Sequence, residues 1–151
     1  MQPVPRAALW LGLAGLLPFL WSVATQLSAP LFDWGLALLG PHFVGAYAGL
    51  AYGTVILSFM SGVLWGFATR AGDRAGLAYA VSVLPALWAF FTVGGGPELA
   101  AINLMIGFAG LLCLDFLFWQ WRLAPRWWMQ LRVLLTSVVL ACLCVTAFDL
   151  A

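Results

Sequence analysis

The sequence predicts an all-α, polytopic integral membrane protein, a five-helix transmembrane bundle whose N-terminus faces the cytoplasm or matrix and whose C-terminus lies on the opposite side. Three observations predict it. Five apolar runs follow one another with short polar interruptions. Charge is scarce, since 7% of residues are charged and 65% apolar, with a mean hydropathy of +1.06, where a soluble domain carries about 25% charge. The basic residues are six arginines, and they fall in clusters that a five-span path brings to one face. At about 20 residues per crossing, residues 1–151 are filled by a single transmembrane domain.

The first span is expected over residues 7–27, after a short arm carrying Arg6. A cleavable signal peptide fits less well, because the apolar run is long and its small-residue site at Ser28-Ala29 is followed by Pro30. Pro30 and Pro41 bracket an apolar stretch, residues 31–40, that is too short to cross and carries Asp33 and Trp34. It reads as a short interfacial or re-entrant segment.

The second span, residues 43–69, holds two small-residue stripes at four-residue spacing: Gly45, Gly49 and Gly53, then Ser58, Gly62 and Gly66. Small residues let helix backbones approach closely. The two trios fall in roughly opposite sectors of the helix, so this span is expected at the centre of the bundle, with one stripe also suited to dimerisation. Residues 77–93 form the third span, kinked at Pro85. Gly94-Gly95-Gly96-Pro97-Glu98 then marks a turn and a helix start, with proline at a first-turn position and a carboxylate at the positive dipole end. The fourth span follows over 97–121 and the fifth over 131–148, ending at Asp149.

On this path Arg6, Arg70, Arg74, Arg122, Arg126 and Arg132 share one side, while Asp33, Glu98 and Asp149 lie opposite. The positive-inside rule then sets the orientation. A sixth crossing at residues 31–40 would scatter the arginines over both faces. Trp121, Trp127 and Trp128 are expected to anchor the inner interface and Trp34 the outer one.

Asp115 lies well inside an apolar run, which makes it the default functional candidate. Arg122 follows two turns later, about 10.5 Å along the helix. Folding the hairpin about Pro125 brings Arg132 to within roughly one turn of the level of Asp115. Three roles stay open for the carboxylate: a buried ion pair locking the hairpin, a proton-relay or substrate-binding group, or an interfacial carboxylate that meets water.

Little else points to chemistry. His42 stands without a ligand cluster, and Cys113, Cys142 and Cys144 sit in apolar runs at no metal or redox spacing. Phosphate-binding glycine loops, zinc-protease motifs and nucleophile triads are absent from the sequence. No cofactor, metal or nucleic-acid partner is expected, and the chain reads as a non-enzyme.

The stretch Tyr52-Gly53-Thr54-Val55-Ile56-Leu57-Ser58-Phe59-Met60-Ser61-Gly62-Val63-Leu64-Trp65-Gly66, with Ser82-Val83-Leu84-Pro85, Asp115, Pro125-Arg126-Trp127-Trp128, Leu131-Arg132 and Leu135-Thr136, resembles the transmembrane protein 69-like family. In bacteria that family is known as domain of unknown function 3429. The resemblance covers nearly the whole chain and implies a small five-helix protein of bacterial inner membranes or of mitochondria, with no assigned reaction. It also implies a basic residue before Trp-Gly, where this chain has Leu64.

The preferred expectation is therefore a non-catalytic accessory or assembly protein that sits in the lipid bilayer and packs against a larger membrane complex or further copies of itself. The alternative is a small transporter or channel using Asp115, with Ser22, Thr25, Ser58, Ser61, Thr92, Asn103 and Thr136 as candidates to line a polar path. A lipid-modifying or quinone-handling enzyme is a third, weaker reading.

Overall fold

A computed structural model describes residues 3–148, all of whose regular structure is helical. Five segments are long and apolar enough to cross a membrane: Arg6–Leu27, Gly45–Ala68, Gly72–Thr92, Pro97–Gln120 and Trp128–Ala147. At 1.5 Å per residue the 24-residue helices are about 36 Å long, more than the roughly 30 Å of a hydrocarbon core. A helix satisfies its own backbone groups, the condition for crossing lipid.

Proline breaks two of the five segments. The first divides into α1 (Arg6–Ala14) and α2 (Leu17–Leu27), because Pro18 has no N–H and its ring crowds the preceding turn. The span predicted from the apolar run is continuous, and the break before Pro18 interrupts it. The third divides into α5 (Ala75–Ser82) and α6 (Leu84–Thr92) immediately before Pro85. At that break the Ser82 carbonyl accepts a hydrogen bond from Ser61 of α4 (Gly45–Ala68). Between α2 and α4 lies α3 (Ala29–Leu39), eleven residues and about 16 Å long. It is too short to span and packs on α2.

The remaining two spans are α7 (Pro97–Gln120) and α8 (Trp128–Ala147). The fifth span thus begins three residues before the expected position, because the turn that starts at Pro125 closes at once, the Trp128 N–H donating to the Pro125 carbonyl at 3.0 Å. Helices α4 and α7 form the middle of the bundle. The first packs on α2, α5, α6 and α7, and the second on α4, α6 and α8. Leu57, Leu64, Leu104, Phe108, Leu111 and Phe118 are buried between them and their neighbours. Leu64, standing where the resemblance implies a basic residue, is wholly enclosed in this core.

The two stripes on α4 behave differently. Gly45 has φ +64°, a conformation glycine adopts freely, and is gripped from α2: Ser22 Oγ donates to its carbonyl at 2.8 Å and its N–H donates to Thr25 Oγ1 at 2.9 Å. A Cβ at Gly49 would lie 2.5 Å from Ser22 Oγ, and one at Gly53 3.1 Å from Leu104. Gly62 and Gly66 of the second stripe have no close-packed neighbour among the described residues, so of the two faces expected to pack, one is used within the bundle. Cβ atoms at Gly62 and Gly66 would meet nothing within 4 Å, and the Ser58 hydroxyl turns back to the Thr54 carbonyl at 2.9 Å. The kinked α5–α6 segment covers the Ser61 side of α4 and leaves that sector bare.

An unanticipated close approach occurs on α7, where a Cβ at Gly107 would lie 2.6 Å from Leu57 and 2.9 Å from Trp88. Gly49→Ala and Gly107→Ala should each lower stability by about 1–3 kcal/mol through overpacking. Gly62→Ala and Gly66→Ala should leave it unchanged or raise it by up to about 1 kcal/mol through helix propensity. Thermal unfolding of the four variants in detergent measures this contrast, and equal loss in all four would contradict the packing described.

Candidate functional site

Asp115 sits in α7 with none of its surface exposed, enclosed between that helix and the start of α8. Its carboxylate is shared between two donors. Arg132 Nε donates to Oδ2 at 2.6 Å, and Trp128 Nε1 donates to Oδ1 at 2.8 Å. Trp128 and Arg132 are four residues apart on one face of α8, so a single helix surface delivers both donors. A carboxylate isolated in hydrocarbon is expensive, and an opposite charge with a second hydrogen bond offsets that cost.

A wider collar surrounds this pair. The Trp128 ring meets Phe67 of α4 edge-on, with centroids 5.1 Å apart. Arg70 extends from the end of α4, donates through Nη2 to the Leu123 carbonyl and lies 5.7 Å from the Phe67 ring centroid. Arg74 is 5.8 Å from the centroid of Trp121. The α7–α8 turn is thereby tied to the α4–α5 turn at the arginine-bearing end of the bundle.

Arg122 takes no part in the ion pair. It is exposed and has φ +59°, while its N–H donates to the Trp119 carbonyl and that of Leu123 to the Phe118 carbonyl, both at 3.0 Å. This is a Schellman helix stop with arginine in the position usually taken by glycine. Arg122 therefore terminates α7, which turns its side chain away from Asp115.

Trp128 also departs from its expected role, because its indole N–H is spent on Asp115 rather than on interfacial water. Trp121 and Trp127 are partly buried at the same end, and Trp34 is exposed on α3, edge-on to Trp21. The signal for Trp128 was the four-residue spacing of Trp128, Arg132 and Thr136. A helix predicted to start at residue 131 leaves Trp128 outside it, off the face that carries Arg132.

The polar residues considered for a path are dispersed. Ser22 and Thr25 hold Gly45, Ser61 holds Ser82, Asn103 Nδ2 donates to the Thr92 carbonyl at 2.7 Å, and Thr92 bonds to the Trp88 carbonyl at 2.7 Å. Thr136 lies beside Arg132 instead. His42 stacks edge-on with Phe43 and Tyr47. Cys142 is buried, Cys144 partly so, and Cys113 faces outward.

Residues 4–148 match the model of a family described as protein of unknown function, DUF3429. The chain belongs to this family. It is also 34% identical over 144 residues to transmembrane protein 69 of Xenopus tropicalis, the match covering 91% of this chain and 52% of that protein. The chain thus spans about half the length of this curated relative. No solved structure matches it. Asp115, Trp128 and Arg132, which carried the family resemblance in separate motifs, form one cluster in the fold.

Replacing Asp115 by Ala should cost about 3–5 kcal/mol, because it leaves the Arg132 guanidinium buried and unpaired. Trp128→Phe should cost about 1.5–3 kcal/mol for one hydrogen bond to a charged group. Asp115→Leu combined with Arg132→Met should recover most of the single-variant loss, and additive losses in that double-mutant cycle would show that the two residues are not coupled. Arg122→Gly should stabilise the chain by up to about 1 kcal/mol, relieving left-handed backbone strain.

Proposed function

We propose that this chain is a non-catalytic accessory or assembly protein of an energy-transducing inner membrane, bacterial or mitochondrial, that packs against a larger membrane complex. The observation that carries the reading is the open stripe on α4. Ser58, Gly62 and Gly66 repeat at four-residue spacing, and Gly62 and Gly66 have no neighbour at Cβ distance among the described residues. Such a surface admits a second helix at short distance, and glycine otherwise weakens a helix relative to alanine. The arginine-bearing end is proposed to face the cytoplasm or matrix, as the positive-inside rule requires.

The transporter alternative draws less support. Both oxygens of Asp115 are engaged within the protein, and the polar side chains that could line a path serve separate helix contacts. A carboxylate that shuttles protons or ions must be reached by them, whereas this one is sealed.

Mild-detergent extraction from native membranes, affinity capture and mass spectrometry should recover a larger membrane complex at fixed stoichiometry. Gly62→Leu with Gly66→Leu should release that complex while leaving the unfolding temperature of the isolated chain within a few degrees of the parent. Recovery of a lone monomer or homodimer from native membranes would defeat the proposal.

A further inference from the structure

A groove of about 1120 Å³ follows the α7–α8 hairpin. At the turn it is lined by Arg122 and Arg126, with Gln120 and Gln130 beside them, and all four are exposed. Along the helices its lining is apolar, with Phe116 and Val133 46% and 48% exposed. Phe116 lies about 6 Å along α7 from Gln120, and Val133 about 7.5 Å along α8 from Trp128. The polar half therefore sits at the membrane interface and the apolar half reaches into hydrocarbon. Phe116 and Trp119 stack there, with ring centroids 5.9 Å apart.

No carboxylate is among the lining residues. Asp115 is paired with Arg132, and Asp73 of the neighbouring turn lines a different pocket with Arg70 and Arg74. The other arginines of this end are engaged within the chain: Arg132 by its ion pair, Arg70 by the Leu123 carbonyl and the Phe67 ring, Arg74 by the Trp121 ring. Arg122 and Arg126 have no such contact among the described residues. Arg122 adds a second observation, since it holds φ +59° at a helix stop where glycine would carry no strain. A backbone outlier of this kind costs stability and is characteristic of positions whose side chain is used.

We propose that this groove seats one anionic glycerophospholipid, its phosphate held by Arg122 and Arg126 and its acyl chains laid over Phe116 and Val133. Charge decides the class. Two guanidiniums with no facing carboxylate favour a phosphate, whose oxygens accept from both, whereas the cationic headgroup of a zwitterionic lipid finds no partner among the lining residues. The apolar half decides the source, because a dissolved phosphate uses the arginines alone, while a lipid uses both halves at the levels where the bilayer places headgroup and chains. The volume, just above the roughly 300–1,000 Å³ of pockets for drug-sized ligands, accommodates a headgroup with the upper parts of its chains. This groove is separate from the Gly62 and Gly66 face of α4, and the proposal is independent of the accessory reading.

The test uses the full chain in nanodiscs of phosphatidylcholine into which phosphatidylglycerol is titrated, with the unfolding temperature as the readout. That temperature should rise saturably with the anionic fraction. Arg126→Gln should weaken the midpoint about 5-fold, the contribution of one arginine beside an anionic membrane surface. Arg122→Gly separates binding from folding. In phosphatidylcholine alone it should unfold at or above the parent temperature, yet its midpoint for phosphatidylglycerol should weaken by the same factor; a purely structural role for Arg122 would leave that midpoint unmoved and overturn the proposal. Arg6→Gln removes a charge from the same end outside the groove and should keep the parent midpoint. An equal weakening there would show a diffuse surface field in place of a site and would also overturn it. So would a saturable rise on adding inorganic phosphate to the phosphatidylcholine discs, which assigns the arginines to a dissolved anion, or the absence of any rise with phosphatidylglycerol in the parent.

Discussion

Asp115 can exist where it does because α8 brings a guanidinium and an indole N–H to it on consecutive turns. A carboxylate on a transmembrane helix cannot be left to lipid, so α7 and α8 are held at the register that satisfies both of its oxygens. Much of the arginine-bearing end follows from that register. Trp128, fixed by its bond to Asp115, offers its ring to Phe67, and Arg70 closes the neighbouring turn onto the Leu123 carbonyl. Without the ion pair the α7–α8 hairpin would lose its strongest specific contact and the turns around it their common reference.

The opposite end is held by weaker and more numerous means. Ser22 and Thr25 clamp the backbone of Gly45, and Thr146 of α8 donates to the Gln26 side chain at 2.9 Å. These are neutral hydrogen bonds, each of modest net value. Close approach at Gly49, Gly53 and Gly107 supplies the packing between them. One end is therefore determined by charge and the other by shape, and the two arrangements meet along α4 and α7.

The ion pair does not use the whole of the Arg132 guanidinium. Arg132 presents Nε to Asp115, while its Nη2 and the Thr136 hydroxyl are enclosed without a hydrogen-bond partner among the described residues. Arg122, two turns along from Asp115 in sequence, contributes nothing to the pair because the left-handed stop at the end of α7 ends the helix there.

Apolar run lengths, prolines and the clustering of arginine determined by themselves that this is a multi-span helical protein, where its spans fall to within a few residues, and that Asp115 and Arg132 can meet. Those are properties of hydrophobicity and helical rise, which depend on local sequence alone. The break before Pro18 is legible in the same way. Only the tertiary structure decided which stripe of α4 is covered and that Trp128 rather than Arg122 completes the shell around Asp115. Each depends on how a neighbouring helix is rotated and where it kinks, and bilayer hydrophobicity, nearly uniform around these helices, does not specify rotation.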